Sequence, residues 1–292
     1  MNVKGDMNTI FISSGILIAL LNSIPGFAQC SDAGVCSLGH LIDEDETNLS
    51  FAFSYTNGYS GTDDDVRFHS FQLDAQYEIF VKSKLSLLIP YNFQSGQGGE
   101  VSGIGDLIVS WSQKIIDGES SKLTASLGLK LATGDENKES SLPQVYQPGL
   151  GSNDFIFAID YNHSKFGIGL GYQLAGGRNN KDGVKLKRGD DLLVRTSYVF
   201  SFMNFSVVPQ LLLIKRLSKS SVLNLNSPDE NFIEVEKSDQ TQLNFLTYLQ
   251  YNLNESYALF TEIAFPFLKR EVNVDGLTRA YTIAAGLRFI IN

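Results

Sequence analysis

The side chains able to do covalent or acid–base chemistry are few, and their spacing does not bring them together. The three histidines, His40, His69 and His163, stand far apart in the chain, whereas a nucleophile and its base must lie within hydrogen-bond reach. His69 precedes Ser70, the one local candidate for a lipid-hydrolase pair, but neighbours on a strand face opposite sides, so His69 reads as an interface residue near a strand start. Gly103-Ile104-Gly105 lacks the helix that a dinucleotide-binding turn must lead into and reads as a strand-opening turn. Asp63-Asp64-Asp65 offers the hard oxygens that suit Ca²⁺; a solvated loop tip explains the same residues. Cys30 and Cys36 are the two cysteines, and an even pair at close spacing in an exported chain favours a disulfide stapling the N-terminal peptide. No second pair or nearby histidine cluster points to metal or redox work. The expectation is a protein that is not an enzyme and uses no metal or other cofactor.

The informative polar residues are those that alternate with apolar ones. Gln72, Asp74, Gln76 and Glu78 share a face opposite Phe71, Leu73, Ala75, Tyr77 and Ile79, the period-two pattern of a strand. Leu85, Leu87, Ile89, Tyr91 and Phe93 repeat it. So do Leu123, Ala125, Leu127, Leu129 and Leu131 against Lys122, Thr124, Ser126, Gly128 and Lys130, and Tyr281, Ile283, Ala285, Leu287, Phe289 and Ile291 against Thr282, Ala284, Gly286 and Arg288. Helical period fits none of these runs. The segments run to about ten residues or more, whereas sandwich strands are nearer five or six. The polar face carries charges that a dry sandwich core does not hold. Apolar outside and polar inside is the arrangement of a barrel in lipid. On that reading Gln72, Asp74, Gln76 and Glu78 line a pore together with Asp106, Lys114, Lys130 and Asp160, and with Arg195, Glu262 and Arg288. Both charge signs occur, and a barrel of intermediate size leaves a narrow solute path or is filled by its own side chains.

About twelve such segments follow one another, near 47–60, 65–80, 84–96, 103–117, 120–133, 153–163, 166–176, 188–201, 205–217, 240–253, 256–270 and 277–292. The number is even, as in single-chain bacterial barrels. Their connections alternate. Val81 to Lys84, Asp117 to Ser120, Ser164-Lys165, Phe202 to Asn204 and Asn254-Glu255 are short. Ser95 to Ser102, Ala132 to Asn153, Gly176 to Arg188 and Leu217 to Asp239 are long and rich in Gly, Asn and charge; Gly61 to Asp64 and Glu271 to Gly276 are the short exceptions on that side. Periplasmic turns are short and extracellular loops long in such barrels, so the first strand is expected to start in the periplasm. Tyr55, Tyr77, Tyr91, Trp111, Tyr161, Tyr172, Tyr198, Tyr251, Tyr257 and Tyr281 tend toward segment ends, which suits interfacial girdles and also the ordinary strand preference of aromatics.

The first thirty residues frame this. The apolar run from Ile10 to Leu21 is short for a membrane helix, which needs about 20 apolar residues. Gly26-Phe27-Ala28 places small residues for cleavage between Ala28 and Gln29. A retained anchor helix and a lipoprotein attached at Cys30 are the alternatives, the latter opposed by the bulk of Gln29. The expected organisation is a signal peptide over 1–28, a periplasmic segment over 29–46 and an all-β antiparallel transmembrane barrel over 47–292. The net charge of −9 and the absence of a basic stripe argue against nucleic acid as a partner.

Three short motifs carry a resemblance. Gly103-Ile104-Gly105-Asp106-Leu107-Ile108-Val109-Ser110 resembles the Gly-x-Gly-Asp strand opening of a transporter-like outer-membrane barrel family named for the meta pathway of phenol degradation. Lys130-Leu131-Ala132-Thr133-Gly134-Asp135 is similar to its Lys-x-Pro-Thr-Gly segment, with Ala132 in place of the proline, and Pro148-Gly149-Leu150-Gly151-Ser152-Asn153-Asp154 to its Gly-rich loop. The chain ends in Asn292 rather than in the common terminal aromatic; Phe289 is the nearest. The resemblance implies an outer-membrane protein of a Gram-negative bacterium that passes small solutes, hydrophobic ones included, with lipid and the barrel-assembly machinery as partners. A structural or adhesive barrel working through its loops is the alternative, and an outer-membrane lipid hydrolase a more distant one.

Overall fold

The computed structural model describes residues 49–62, 65–139 and 141–291. The expected signal peptide, the Ala28–Gln29 cleavage site, the Cys30–Cys36 pair, His40, Asp63 and Asp64 lie outside the described residues. The strands are β1 (Leu49–Tyr59), β2 (Arg67–Phe80), β3 (Ser83–Gly96), β4 (Gly99–Ile104), β5 (Leu107–Asp117) and β6 (Ser121–Leu131), then β7 (Asn153–His163), β8 (Phe166–Gly176) and β9 (Leu186–Lys187). They continue as β10 (Asp191–Tyr198), β11 (Phe200–Phe202), β12 (Phe205–Arg216), β13 (Ser221–Leu223), β14 (Phe232–Glu234), β15 (Thr241–Asn252), β16 (Tyr257–Leu268) and β17 (Tyr281–Ile291).

Every wall strand pairs antiparallel with its sequence neighbour, and β1 pairs with β17 over its whole length, Leu49 opposite Ile291 and Tyr59 opposite Tyr281. β4 and β5 occupy one wall position interrupted at Gly105-Asp106, and β10 and β11 another. The wall is therefore a closed barrel of twelve positions in the expected order. Closure leaves no sheet edge and pairs the backbone groups internally, the condition for β-structure in hydrocarbon. The alternation seen in sequence becomes a two-sided wall. Phe53, Phe71, Phe157, Ile159, Leu170 and Leu211 project outward and are exposed. Along β15 the opposite row, Gln242, Asn244, Leu246, Tyr248 and Gln250, is buried inside.

The connections differ at the two ends. At one end Lys82, Ser164 and Met203 close tight turns with φ of 66°, 53° and 51°, and 118–120 and 253–256 are also short. The other end carries 132–152, 177–190, 217–240 and 269–280. Three boundaries depart from expectation. The link between β16 and β17 runs over 269–280, longer than the short connection expected from Glu271 to Gly276, because β17 begins at Tyr281. The stretch Ser95 to Ser102 is not a long loop: β3 and β4 stay paired to Gly96–Gly99, so the hairpin rises above its neighbours. The eighth wall strand begins at Asp191, and Arg188 belongs to the preceding loop, whose β9 joins β13 and β14 of the 217–240 loop in a small separate sheet.

Candidate functional site

The lumen is built in three tiers, and the height of a residue along its strand decides which it joins. At the short-turn end lies a cavity of about 350 Å³. Its polar lining includes Asp74, Gln76, Lys114, Asp160, Arg195 and Arg288 from the expected pore-lining set. Arg195 holds Asp160 at 3.2 Å, and the Arg288 guanidinium lies over the Phe260 ring at 5.7 Å. Lys82, Lys84, Lys122 and Lys165 join them from the rim, beside Glu119. Lys82 also pairs with Asp117 at 3.4 Å.

The middle tier is apolar. Ile156, Leu193, Leu212, Ile214, Leu246 and Ala264 form one buried cluster on the inner face of β7, β10, β12, β15 and β16. These residues occupy inward positions of the period-two pattern, so the interior is not uniformly polar. Leu88, Ile108, Val208 and Tyr248 carry the apolar surface into the cavity lining.

The third tier lies one inward residue further toward the long loops. Asp154 on β7 is fully buried and receives Lys130 at 2.8 Å, Arg188, and the Gln173 amide at 2.7 Å. Arg188 also approaches Asp275 at 3.9 Å. Beside it Arg216 reaches the two oxygens of Asp191 at 3.1 and 2.9 Å, and Arg270 adds a third bond at 3.1 Å. Burial pulls the Arg188 guanidinium down to about 10 against the opposing attraction of Asp275, and it lowers Arg270 against that of Asp191. Such a lattice survives desolvation only because its charges are paired. Arg279, half-buried in the 269–280 loop at the same end, is also pulled to about 10 by desolvation and lies 4.7 Å from the centre of the Phe68 ring.

Loop 132–152 folds inward over this tier. Asp106 anchors it: one carboxylate oxygen accepts Gly134 N–H at 3.1 Å and the other accepts Leu150 N–H at 2.9 Å. The Thr133 hydroxyl donates to the Gly105 carbonyl at 3.2 Å and accepts the Leu107 N–H at 2.9 Å. Asn92 donates to Pro148 O at 2.8 Å, and Asn179 to the Gln144 side chain at 2.9 Å. Val145 and Tyr146 pack on Val66, Phe68 and Val101. Two glycines are required here because backbone meets backbone: a Cβ on Gly149 would lie 2.6 Å from Gly134, and one on Gly134 2.7 Å from Gly149. The three motifs that carried the sequence resemblance thus converge on one clamp.

The remaining expected pore residues are distributed as follows. Asp106 and Lys130 lie in the clamp and the ionic tier, away from the cavity. Gln72 is half-buried on the inner face of β2. Glu78 accepts the Lys82 N–H at 3.1 Å at the rim, and Glu262 is half-buried on β16. Asp154, Arg188, Asp191, Arg216 and Arg270 were missed by sequence reasoning. The alternation beside Phe155 marks Asp154 as inward-facing; for Arg188 and Arg270, which lie in loops, no periodic signal exists. His69 bonds Tyr55 and Asn57, not Ser70. A Ser–His contact does occur at the short-turn rim, Ser121 Oγ to His163 Nδ1 at 2.9 Å, but among the described residues no carboxylate orients that imidazole. No group of three or more metal-ligating side chains occurs among the described residues.

Neither a protein-family model nor a curated protein sequence matches the chain. Solved structures do. An outer-membrane channel from Pseudomonas putida F1 aligns over 84 % of this chain and 96 % of its own, at 13 % identity and a TM-score of 0.64. The NanC porin aligns over 83 % and 100 % at 10 % identity and 0.49. The CymD monoaromatic hydrocarbon channel aligns over 85 % and 89 % at 8 % identity and 0.45. Of these three, the first alone superposes well enough to bear on the fold, which is that of a bacterial outer-membrane β-barrel.

Proposed function

We propose that the chain is an outer-membrane channel of a Gram-negative bacterium that passes small solutes, hydrophobic ones included, and belongs with the barrel family named for the meta pathway of phenol degradation. The observation that carries this reading is a solvent-reachable cavity of mixed polar and apolar lining inside a closed wall whose outer face is apolar. An outward-facing greasy surface of this extent needs lipid to cover it, and a cavity of about 350 Å³ falls in the range of small-molecule sites. The loop asymmetry orients the short-turn end, and with it the cavity, toward the periplasm. The clamped loop and the ionic tier narrow the path at the far end, so transport requires their rearrangement.

The test is conductance in a planar bilayer together with solute-driven swelling of proteoliposomes. Small unitary steps, with swelling by small aromatic solutes, are the expected result. A protein that refolds into a heat-modifiable, β-rich species yet shows neither conductance nor swelling overturns the channel reading.

A further inference from the structure

We propose that the vestibule selects organic anions, namely small carboxylates with an apolar body, over neutral and cationic solutes of the same size. The inference deepens the channel reading and rests on it for the direction of transport, but the binding it asserts is testable separately.

The protein as a whole is acidic, with a net charge of −9. Its cavity is the reverse. Seven cationic side chains line it against three acidic ones, Asp74, Glu119 and Asp160, and the cations remain in excess when Glu78 and Asp117 at the rim are added. Five of the seven are lysines, at positions 82, 84, 114, 122 and 165, and the backbone register groups them. Lys84 on β3 is opposite Ser112 on β5, Lys114 is opposite Thr124 on β6, and Lys122 is opposite Asn162 on β7. They therefore form an arc across adjoining strands, closed at its ends by Lys82 and Lys165 in the neighbouring short turns. The net balance of charge in the lining, rather than any one ammonium, sets the sign of the field there.

Fixed charges of one sign inside a low-dielectric wall focus the field along the cavity and raise the local concentration of the opposite ion by roughly tenfold or more. The field falls off over the Debye length of about 8–10 Å at physiological salt, so it acts on a solute close to the lining and weakens as salt is added. The second half of the recognition is apolar. Leu88, Ile108, Val208 and Tyr248 line the inner end of the same cavity, next to the Ile156–Leu193–Leu212–Leu246 cluster. An inorganic anion would use only the lysine arc. A solute with a carboxylate at one end and a ring or short alkyl body at the other meets both surfaces together, and its carboxylate faces the short-turn mouth.

Two measurements on the refolded barrel test this. The first is binding of 2-naphthoate, followed by its fluorescence in a zwitterionic detergent and compared with neutral 2-naphthalenemethanol. The second is the reversal potential in a potassium chloride gradient. The variant combines Lys84→Gln, Lys114→Gln, Lys122→Gln and Lys165→Gln, which brings the lining to charge balance; heat-modifiable migration and far-UV circular dichroism verify its fold. If that variant fails to fold, the single changes Lys122→Gln and Lys165→Gln are read instead, each expected to weaken 2-naphthoate two- to threefold. The inference predicts that 2-naphthoate binds the parent on the order of tenfold more tightly than the alcohol, that added salt erodes the preference, and that the variant loses it. It also predicts chloride selectivity in the parent, reduced in the variant. Equal binding of acid and alcohol, a preference untouched by the lysine changes, or a cation-selective parent overturns it. Preferential 2-naphthoate binding without any conductance refutes the channel reading and leaves the anion site standing.

Discussion

The two ends of the lumen are built from the same side-chain types and put them to opposite use. In the vestibule, lysines, arginines and aspartates border a cavity that water reaches. One inward residue beyond the apolar cluster, Asp154, Arg188, Asp191, Arg216 and Arg270 are almost fully buried and bonded to one another. A charge in the first setting contributes a field; a charge in the second is a structural part, because removing its partner strands it in a medium that does not solvate it. The difference is one of water access, not of residue chemistry.

That contrast can be broken at its strongest point. Asp154→Asn leaves Lys130 and Arg188 buried without their shared acid, and a cost of about 3–5 kcal/mol is expected. It is read as a lower midpoint of urea unfolding in lipid vesicles, and loosening of the tier should raise single-channel conductance. Unchanged stability and conductance together would mean that the ionic tier neither supports nor obstructs the lumen.

Gly149→Ala addresses the clamp next. Its added carbon has no room against Gly134 and the Asp106 carboxylate, and overpacking of this kind costs about 1–3 kcal/mol. The expected readout is faster proteolysis within 132–152 with the barrel itself intact. Asp106→Asn is milder. It keeps one acceptor oxygen for the two loop N–H donors, and a loss of about 1–2 kcal/mol with partial release of the loop is expected. If conductance does not rise in either variant, the loop is ornament rather than obstruction.

The smallest expected effect lies at the opposite end. Lys122→Gln on the vestibule wall should move the unfolding midpoint by less than about 1 kcal/mol, as for ion pairs in contact with water, while still changing ion selectivity. A large loss of stability there would erase the distinction between the two regions.

Much of the wall is legible in the chain itself. Phe71 to Ile79 and Tyr281 to Ile291 alternate so regularly that strand, face and number of crossings follow from period alone, because a strand sends successive side chains to opposite sides. The turn at Ser164-Lys165 and the long connection over 132–153 are likewise visible as breaks in that period. The Gly103–Asp106, Thr133–Gly134 and Pro148–Leu150 motifs stood out as resemblances, but their joint purpose did not, since residues 28 and 44 positions from Asp106 meet only after the loop has folded inward.

What period cannot supply is height and company. Asp160 and Asp154 share an inward row on β7, six residues apart, yet one borders water beside Arg195 and the other is sealed under Lys130, Arg188 and Gln173. Local sequence determined the side of the sheet each residue faces, because that depends on backbone geometry within a few residues. Tertiary structure decided whether an inward charge meets solvent or another charge, because that depends on strand stagger around the closed ring and on which loop lies across its mouth.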